Sequence, residues 1–321
     1  MFIFNDILKT TIWGGDKIGR FKGYDNVPLH IGESWEISAV EGSESVVAEG
    51  PDRGLTITQL VDKYGEKLLG KSVIERFGKR FPLLVKFIDA NADLSVQVHP
   101  NDSQAMARHG KYGKTEMWYV MESDDKASLK VGFKKDMTKD EYLESVEQST
   151  IAEKLVTYNV KKGDVFFLPP GRIHTIGAGT FLAEIQQSSD ITYRIYDYDR
   201  VDKDGNRRQL HTDLAVDVID YKAQENYRTV YDVDEQGATI LAKCKYFTTN
   251  LVSTDSYIER DYEDVDSFVI IMCMKGDAVI TDADTLEQKA VKQGDTVLFP
   301  ATTKRIEINA AELSDFLEVT V

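Results

Sequence analysis

Three short stretches carry side chains that could hold a cation. "LSVQVHP" offers Gln97 and His99, "KTEMWYV" offers Glu116 with Lys114 two residues before it, and "PPGRIHTIG" offers His174. Residues two apart on a strand share a face, so Gln97 and His99 point the same way, as do Lys114 and Glu116. Two imidazoles and a carboxylate brought together make a site for a divalent metal. Thiolates contribute nothing here, because the chain has only two cysteines, Cys244 and Cys273, and no CxxC pair. Structural zinc sites usually close with thiolates, whereas nitrogen and oxygen ligands with one position open suit a catalytic ion. Each residue also has an ordinary reading. A histidine before proline serves a turn or a core, and a lone strand glutamate faces solvent.

The elements that would position these residues are mostly strands. Runs such as "SWEISAV", "PLLVKFIDA", "MWYVME", "DVFFLPP", "FLAEIQQ", "ITYRIYDY", "SFVIIMCM" and "DTVLFP" are rich in β-branched and aromatic residues. They are broken by Gly, Asp, Asn or Pro, the pattern of a mainly β sandwich or barrel. Helical patterns are fewer: Thr56 to Gly70, a segment opened by Thr138 and Glu141 at capping-box spacing, and "HTDLAVDVIDYK". An internal repeat organises the rest. With an offset of 131, "VKKGDVFFLPPGRIH" from Val160 falls on "VKQGDTVLFPATTKR" from Val291. Gly163 meets Gly294, Asp164 meets Asp295, Pro169 meets Pro300, and His174 meets Arg305. Two related β units are expected, with the chemistry kept in the first. The polar stretch between Tyr221 and Lys245 divides them, giving 1–235 and 236–321.

The 321 residues carry a formal net charge of −15, which argues against nucleic acid or an anionic membrane surface as partner. An anionic small molecule would need a locally basic site. "MFIFNDILKTTIWGGDK" has no basic segment leading into a long apolar one, and no window holds the apolar residues of a membrane helix. With two thiols and no disulfide framework, a cytoplasmic protein is expected.

"GDVFFLPPGRIH" fits the second cupin motif, G-x5-P-x-G-x2-H, at Gly163, Pro169, Gly171 and His174. "QVHP…TEMWYVM" resembles the first cupin motif, with Gln97 in its first histidine position. In order, "TIWGG", "IGESWEIS", "FPLLVKFIDA", "LSVQVHP", "KTEMWYV", "PPGRIHTIGAG" and "SSDITYRIYDYDR" are similar to the short bacterial form of the type I mannose-6-phosphate isomerases. The resemblance covers nearly the whole chain. It implies two jelly-roll-like β-barrel units with a few short helices, and a metal-free second unit. It implies one zinc ion per chain, held by Gln97, His99, Glu116 and His174. It also implies a phosphosugar substrate, mannose 6-phosphate, converted to fructose 6-phosphate through an enediol. The large helical domain inserted in longer family members has no counterpart among the short helices expected here.

Glu184, Asp190 and Arg194 match positions proposed for catalysis in that family, Arg194 foremost. Lys114 shares a strand face with Glu116, and Ser95 shares one with Gln97. Lys86 lies in the apolar run "LLVKFIDA", where a charge needs a partner unless it faces solvent at a strand edge. Lys86, Ser95, Lys114 and Arg194 therefore form the expected phosphate-facing pocket. Asp197 and Arg200 read as a structural ion pair. Trp13 and Trp35 read as core, and His30, His109 and His211 take no catalytic role. Two other functions fit the ligand types: a non-haem iron oxygenase, since two histidines and a carboxylate also make a facial triad, and a sugar-binding cupin without catalysis.

Overall fold

The computed structural model describes residues 1–26, 29–201, 204–233 and 237–321. The boundary expected at 235/236 lies outside the described residues. Four antiparallel sheets stack in layers of five, seven, six and four strands, with one small two-stranded ribbon beside them. The seven-stranded sheet runs Arg228–Thr229, Val165–Leu168, Glu116–Ser123, Thr180–Gln187, Leu83–Ala90, Ile31–Ile37, Ile7–Gly15. The five-stranded sheet runs Leu155–Asn159, Ser128–Phe133, His174–Ile176, Val96–Val98, Tyr193–Tyr196.

Strand periodicity explains the layering. Along Leu83–Ala90, Leu83, Val85 and Phe87 turn one way, and with Met117, Tyr119, Phe181 and Ile185 they pack on Ile270, Met272, Leu298 and Leu317 of the six-stranded sheet. The other face alternates Lys86 and Ile88, Glu116 and Trp118, Leu182 and Glu184. Its apolar members pack on Leu129, Val131 and Ile176 of the five-stranded sheet. With both faces covered, all eight residues of Leu83–Ala90 are buried, which is why that run reads as continuously apolar apart from its charges. Phe81 stacks on Phe268 across the inner layers, with ring centroids 4.6 Å apart.

The sheets are open rather than closed barrels. Each ladder ends in two different edge strands that do not pair with each other among the described residues. Alternating burial looks the same in a face-packed sandwich and in a barrel, so the pattern alone does not separate them. Phe2–Ile3 pairs with Thr296–Phe299, so the first residues of the chain sit in the six-stranded sheet.

The helical expectation over Thr56 to Gly70 is met by two helices. Thr56 and Gln59 form a capping box at the head of Ile57–Tyr64, and Gly65, at φ 52°, breaks the run before Glu66–Leu69. The Thr138–Glu141 capping box opens Lys139–Glu147, the longest described helix at nine residues.

The internal repeat is visible in the backbone. Val165–Leu168 and Thr296–Phe299 are strands at the same offset of 131. Gly163 (φ 89°) and Gly294 (φ 93°) both take the left-handed conformation that glycine tolerates best. In both turns the aspartate carboxylate accepts from a lysine N–H three residues back, Lys161 in one and Lys292 in the other, each at 2.9 Å. In the first copy the turn leads to buried His174. In the second it leads to Arg305, which is exposed.

Candidate active site

His174 and Arg194 stand on neighbouring strands either side of Gln97, in register with it. Glu116 faces them from the seven-stranded sheet, where it pairs with Leu168 and Gln186. One ligand atom each of His99, Glu116 and His174 can be chosen such that all lie within 4.8 Å of one another. His99 Nε2 is 3.4 Å from Glu116 Oε1, and His174 Nε2 is 3.5 Å from Glu116 Oε2. Gln97 Nε2 lies 3.3 Å from His174 Nε2.

The opposite ring nitrogens are anchored. His99 Nδ1–H donates to the Ile191 carbonyl at 2.9 Å, and His174 Nδ1–H donates to the Arg172 carbonyl at 2.8 Å. This tautomer leaves both Nε2 lone pairs aimed at Glu116. The rigid turn before His174 now has a physical purpose. Gly171 sits at φ 85°, where a Cβ would come within 2.8 Å of the Val218 carbonyl. Its N–H donates to the His99 carbonyl at 2.9 Å, so one histidine's turn is tied to the backbone of the other.

The protonation states suit a cation. Burial pushes His174 down to about 3 and lowers His99 as well, so both imidazoles are neutral. Burial alone would raise Glu116, but the Lys114 ammonium overrules it and holds the carboxyl well below its usual range. Lys114 Nζ is 2.6 Å from Glu116 Oε1. Even so, His99 Nε2 and both Glu116 oxygens are buried with no aligned hydrogen-bond partner. Orphaned buried acceptors are costly unless something binds them. Neutral imidazoles, an ionised carboxylate and unclaimed lone pairs fit a divalent metal with N/O ligation.

Beside this cluster a cavity of about 130 Å³ is lined by Lys86, Ser95, Gln97, Lys114, Glu184 and Arg194, all anticipated from the sequence. Lys86 is buried, not a solvent-facing edge residue, and its Nζ lies 3.1 Å from both Glu184 Oε1 and Glu33 Oε2. Trp118 Nε1–H donates to Glu184 Oε2 at 2.9 Å. Burial first, and then Glu116, push Glu184 up to about 7, against the pull of Lys86 and Lys114. Trp13 is core, as expected, and also lines the cavity.

Asp190 is not brought to this cavity. It is solvent-exposed and pairs with Lys111 at 2.9 Å, because the strand that carries Arg194 begins only at Tyr193 and the loop before it turns outward. Thr192, two residues before Arg194, lines the cavity with it. A bulge between Arg194 and Tyr196 shifts the register, and Tyr196 packs on the helix-side cluster with Tyr193 and Ile195. The Asp197–Arg200 ion pair is present at 2.6 Å. Sequence reasoning missed Glu33 and Arg208, which line the cavity. Lys86 signalled that an anion was needed but not which one, and Glu33 reaches it from the neighbouring strand. Arg208 lies in an irregular loop and had no signal.

A larger cleft of about 750 Å³ lies near Lys22, Glu36 and Gly294. Its buried Lys22 is already satisfied by Glu36 at 2.7 Å, Asp6 at 3.0 Å and the Gly294 carbonyl at 2.8 Å. Among the described residues, none of the buried side-chain atoms without a partner belongs to its lining.

Residues 1–126 match the family model for the catalytic domain of type I phosphomannose isomerase. Mannose-6-phosphate isomerase ManA of Bacillus subtilis is 35% identical over 303 residues, which cover 92% of each chain. The chain belongs to the type I mannose-6-phosphate isomerase family. A second relative, mannose-6-phosphate isomerase of Streptococcus mutans, is 35% identical over 295 residues, 91% of this chain and 90% of its own. The crystal structure of the Bacillus subtilis mannose 6-phosphate isomerase superposes with a TM-score of 0.88 at 30% identity, covering 100% of this chain and 99% of that one. A structure from Archaeoglobus fulgidus, described as a putative mannosephosphate isomerase, shares the fold at a TM-score of 0.81 and 23% identity, covering 99% of this chain and 96% of that one. Family membership makes the chain an isomerase, and the buried triad is its candidate metal site.

Proposed function

We propose that the chain is a zinc-dependent aldose–ketose isomerase that interconverts mannose 6-phosphate and fructose 6-phosphate through an enediol. The observation that carries this reading is the buried His99–Glu116–His174 cluster, with its orphaned lone pairs, beside a cavity walled by Lys86, Lys114 and Arg194. His99, Glu116 and His174 would hold one zinc ion per chain, with Gln97 as a fourth ligand. A bound divalent ion polarises a carbonyl and its neighbouring hydroxyl, which acidifies the carbon-bound proton between them.

The chain's own residues do the rest. Glu184, near neutrality in its pKa, takes the proton from C2 and returns it to C1. Lys86, 3.1 Å from Glu184, keeps that carboxyl from rising further. Arg194 faces the negative charge that grows on the substrate oxygens. Ser95 and Lys86, with Lys114 and Arg194, give the phosphosugar a locally basic pocket inside an acidic protein. Asp190 takes no part. A coupled assay tests the reading: mannose 6-phosphate should yield fructose 6-phosphate, and a chelator should stop it. Zinc-loaded protein that forms no product would end the isomerase reading, and full turnover in metal-free protein would end the zinc reading.

We read the layers as two cupin units, the five- and seven-stranded sheets forming the metal-holding one and the six- and four-stranded sheets the metal-free one. The repeated Gly-Asp turn supports this, as does the exposed arginine in the second copy. Arg305→Ala should leave turnover within about twofold of the parent. A tenfold fall, about 1.4 kcal/mol in the barrier, with unchanged stability would give that unit a direct part in the chemistry. No helix of the described residues is long and apolar enough to cross a membrane. The net charge of −15 weighs against nucleic acid or an anionic membrane surface as partner, and we infer a cytoplasmic enzyme.

A further inference from the structure

The metal-free C-terminal part touches the candidate site through one carboxylate. Tyr246 follows the edge strand Ala238–Lys243, and its hydroxyl donates to Asp102 Oδ2 at 2.6 Å, across 144 positions of sequence. The other oxygen, Asp102 Oδ1, accepts the Gly113 N–H at 3.0 Å and Gln187 Nε2–H at 3.0 Å. Gln187 Oε1 in turn accepts the Thr115 N–H at 2.9 Å, and the Lys114 N–H donates to the Pro100 carbonyl at 3.1 Å. Three successive amides, those of Gly113, Lys114 and Thr115, just before the strand Glu116–Ser123, are thus claimed by groups from other segments. Pro100 is the residue after His99, Gln187 ends the strand that carries Glu184, and Lys114 and Glu116 lie one and three residues after Gly113. The approach is close: a Cβ on Gly113 would lie 2.5 Å from the Asn101 carbonyl carbon.

The geometry points to Tyr246 and Asp102 as positioning residues that set Lys114 and Glu116 for the reaction, so that the metal-free unit acts on the site without touching substrate. The inference rests on the isomerase reading only for its kinetic readout. A hydroxyl-to-carboxylate bond at 2.6 Å is charge-assisted and directional. Without it the carboxylate keeps two donors on one oxygen but loses its fixed plane. The Gly113–Thr115 backbone then gains freedom next to an ammonium and a ligand carboxylate. A small displacement of catalytic groups is enough to cost a large factor in rate.

Two variants test this in the full-length, zinc-loaded protein: Tyr246→Phe, which keeps the ring packed near Phe77, and Asp102→Asn. Turnover should fall about tenfold in each with the Michaelis constant within about twofold. Amide hydrogen exchange in a peptide spanning 113–115 should quicken while exchange in Leu83–Ala90 stays as in the parent. Lys245→Ala should change neither, since its exposed ammonium stands 3.6 Å from Asp102. The exchange readout needs no activity, so it judges the inference even if the chain proves not to be an isomerase. Parent-like exchange at 113–115 in both variants would overturn the inference. So would a fall in turnover that only tracks the fraction of folded protein.

Discussion

His99→Ala and His174→Ala should each yield a folded protein that binds no zinc and turns over on the order of a thousandfold more slowly. The size follows from what a bound ion contributes, several kcal/mol of charge stabilisation at about 1.4 kcal/mol per decade of rate. The folded state should survive because neither ring belongs to a hydrophobic cluster that joins the sheets. The apolar contacts there are Ile88, Trp118, Leu129, Val131, Ile176 and Leu182. Removing one ring also leaves a cluster whose remaining polar atoms are already short of partners. The two variants should differ in detail. His174 meets Gln97 Nε2 at 3.3 Å and stacks edge-on against Trp118 at 5.2 Å, so His174→Ala opens a space among packed groups. His99→Ala loses chiefly its bond to Ile191. Zinc content by elemental analysis, thermal melts and the coupled assay decide the matter. A variant that keeps stoichiometric zinc would remove that histidine from the ligand set.

Residue type and strand alternation made His99, Glu116 and His174 legible as separate candidates, and the family resemblance joined them into one site; the turn before His174 was legible in its Pro-Pro-Gly, with Gly171 at φ 85°. Lys86 was legible as a problem, a charge within an apolar run, but its solution was not. Glu33 and Glu184 reach it from the strands on either side, and strand order is a tertiary property. Arg208 and Tyr246 carried no signal at all. The first lies in an irregular loop, and the second acts 144 residues away from its partner. Asp190 was named from the family resemblance, and four residues of extended chain span more than ten ångströms, enough to carry it from Arg194 to the surface, where it pairs with Lys111. The β class could be read from periodicity. Open sheets in place of barrels could not, since burial alternates identically in both.

Arg194→Ala should keep its zinc and its fold but lose roughly 100-fold in turnover, the scale of one preorganised electrostatic donor. The structure sharpens the argument. Arg194 Nη1–H donates to the Gln209 carbonyl at 2.9 Å, and its Nε is buried without a hydrogen-bond partner. Neither Glu184 nor Asp190 balances it: Glu184 pairs with Lys86, and Asp190 pairs with Lys111. Burial, and after it the nearby Arg208, lower its proton affinity, which marks a guanidinium short of counter-charge. Arg194 is half-buried and has no ion-pair partner among the described residues, so an anion in the cavity would supply the counter-charge it lacks. If the anion is the enediolate, the contact tightens as charge develops. Turnover then falls in Arg194→Ala while the Michaelis constant holds. Arg194→Lys should recover little, because a point charge on a flexible stem cannot keep the Gln209 contact and present a planar fork together. If the anion is the substrate's phosphate, the Michaelis constant rises and turnover survives. That outcome would make Arg194 a binding residue, and the catalytic assignment would be withdrawn.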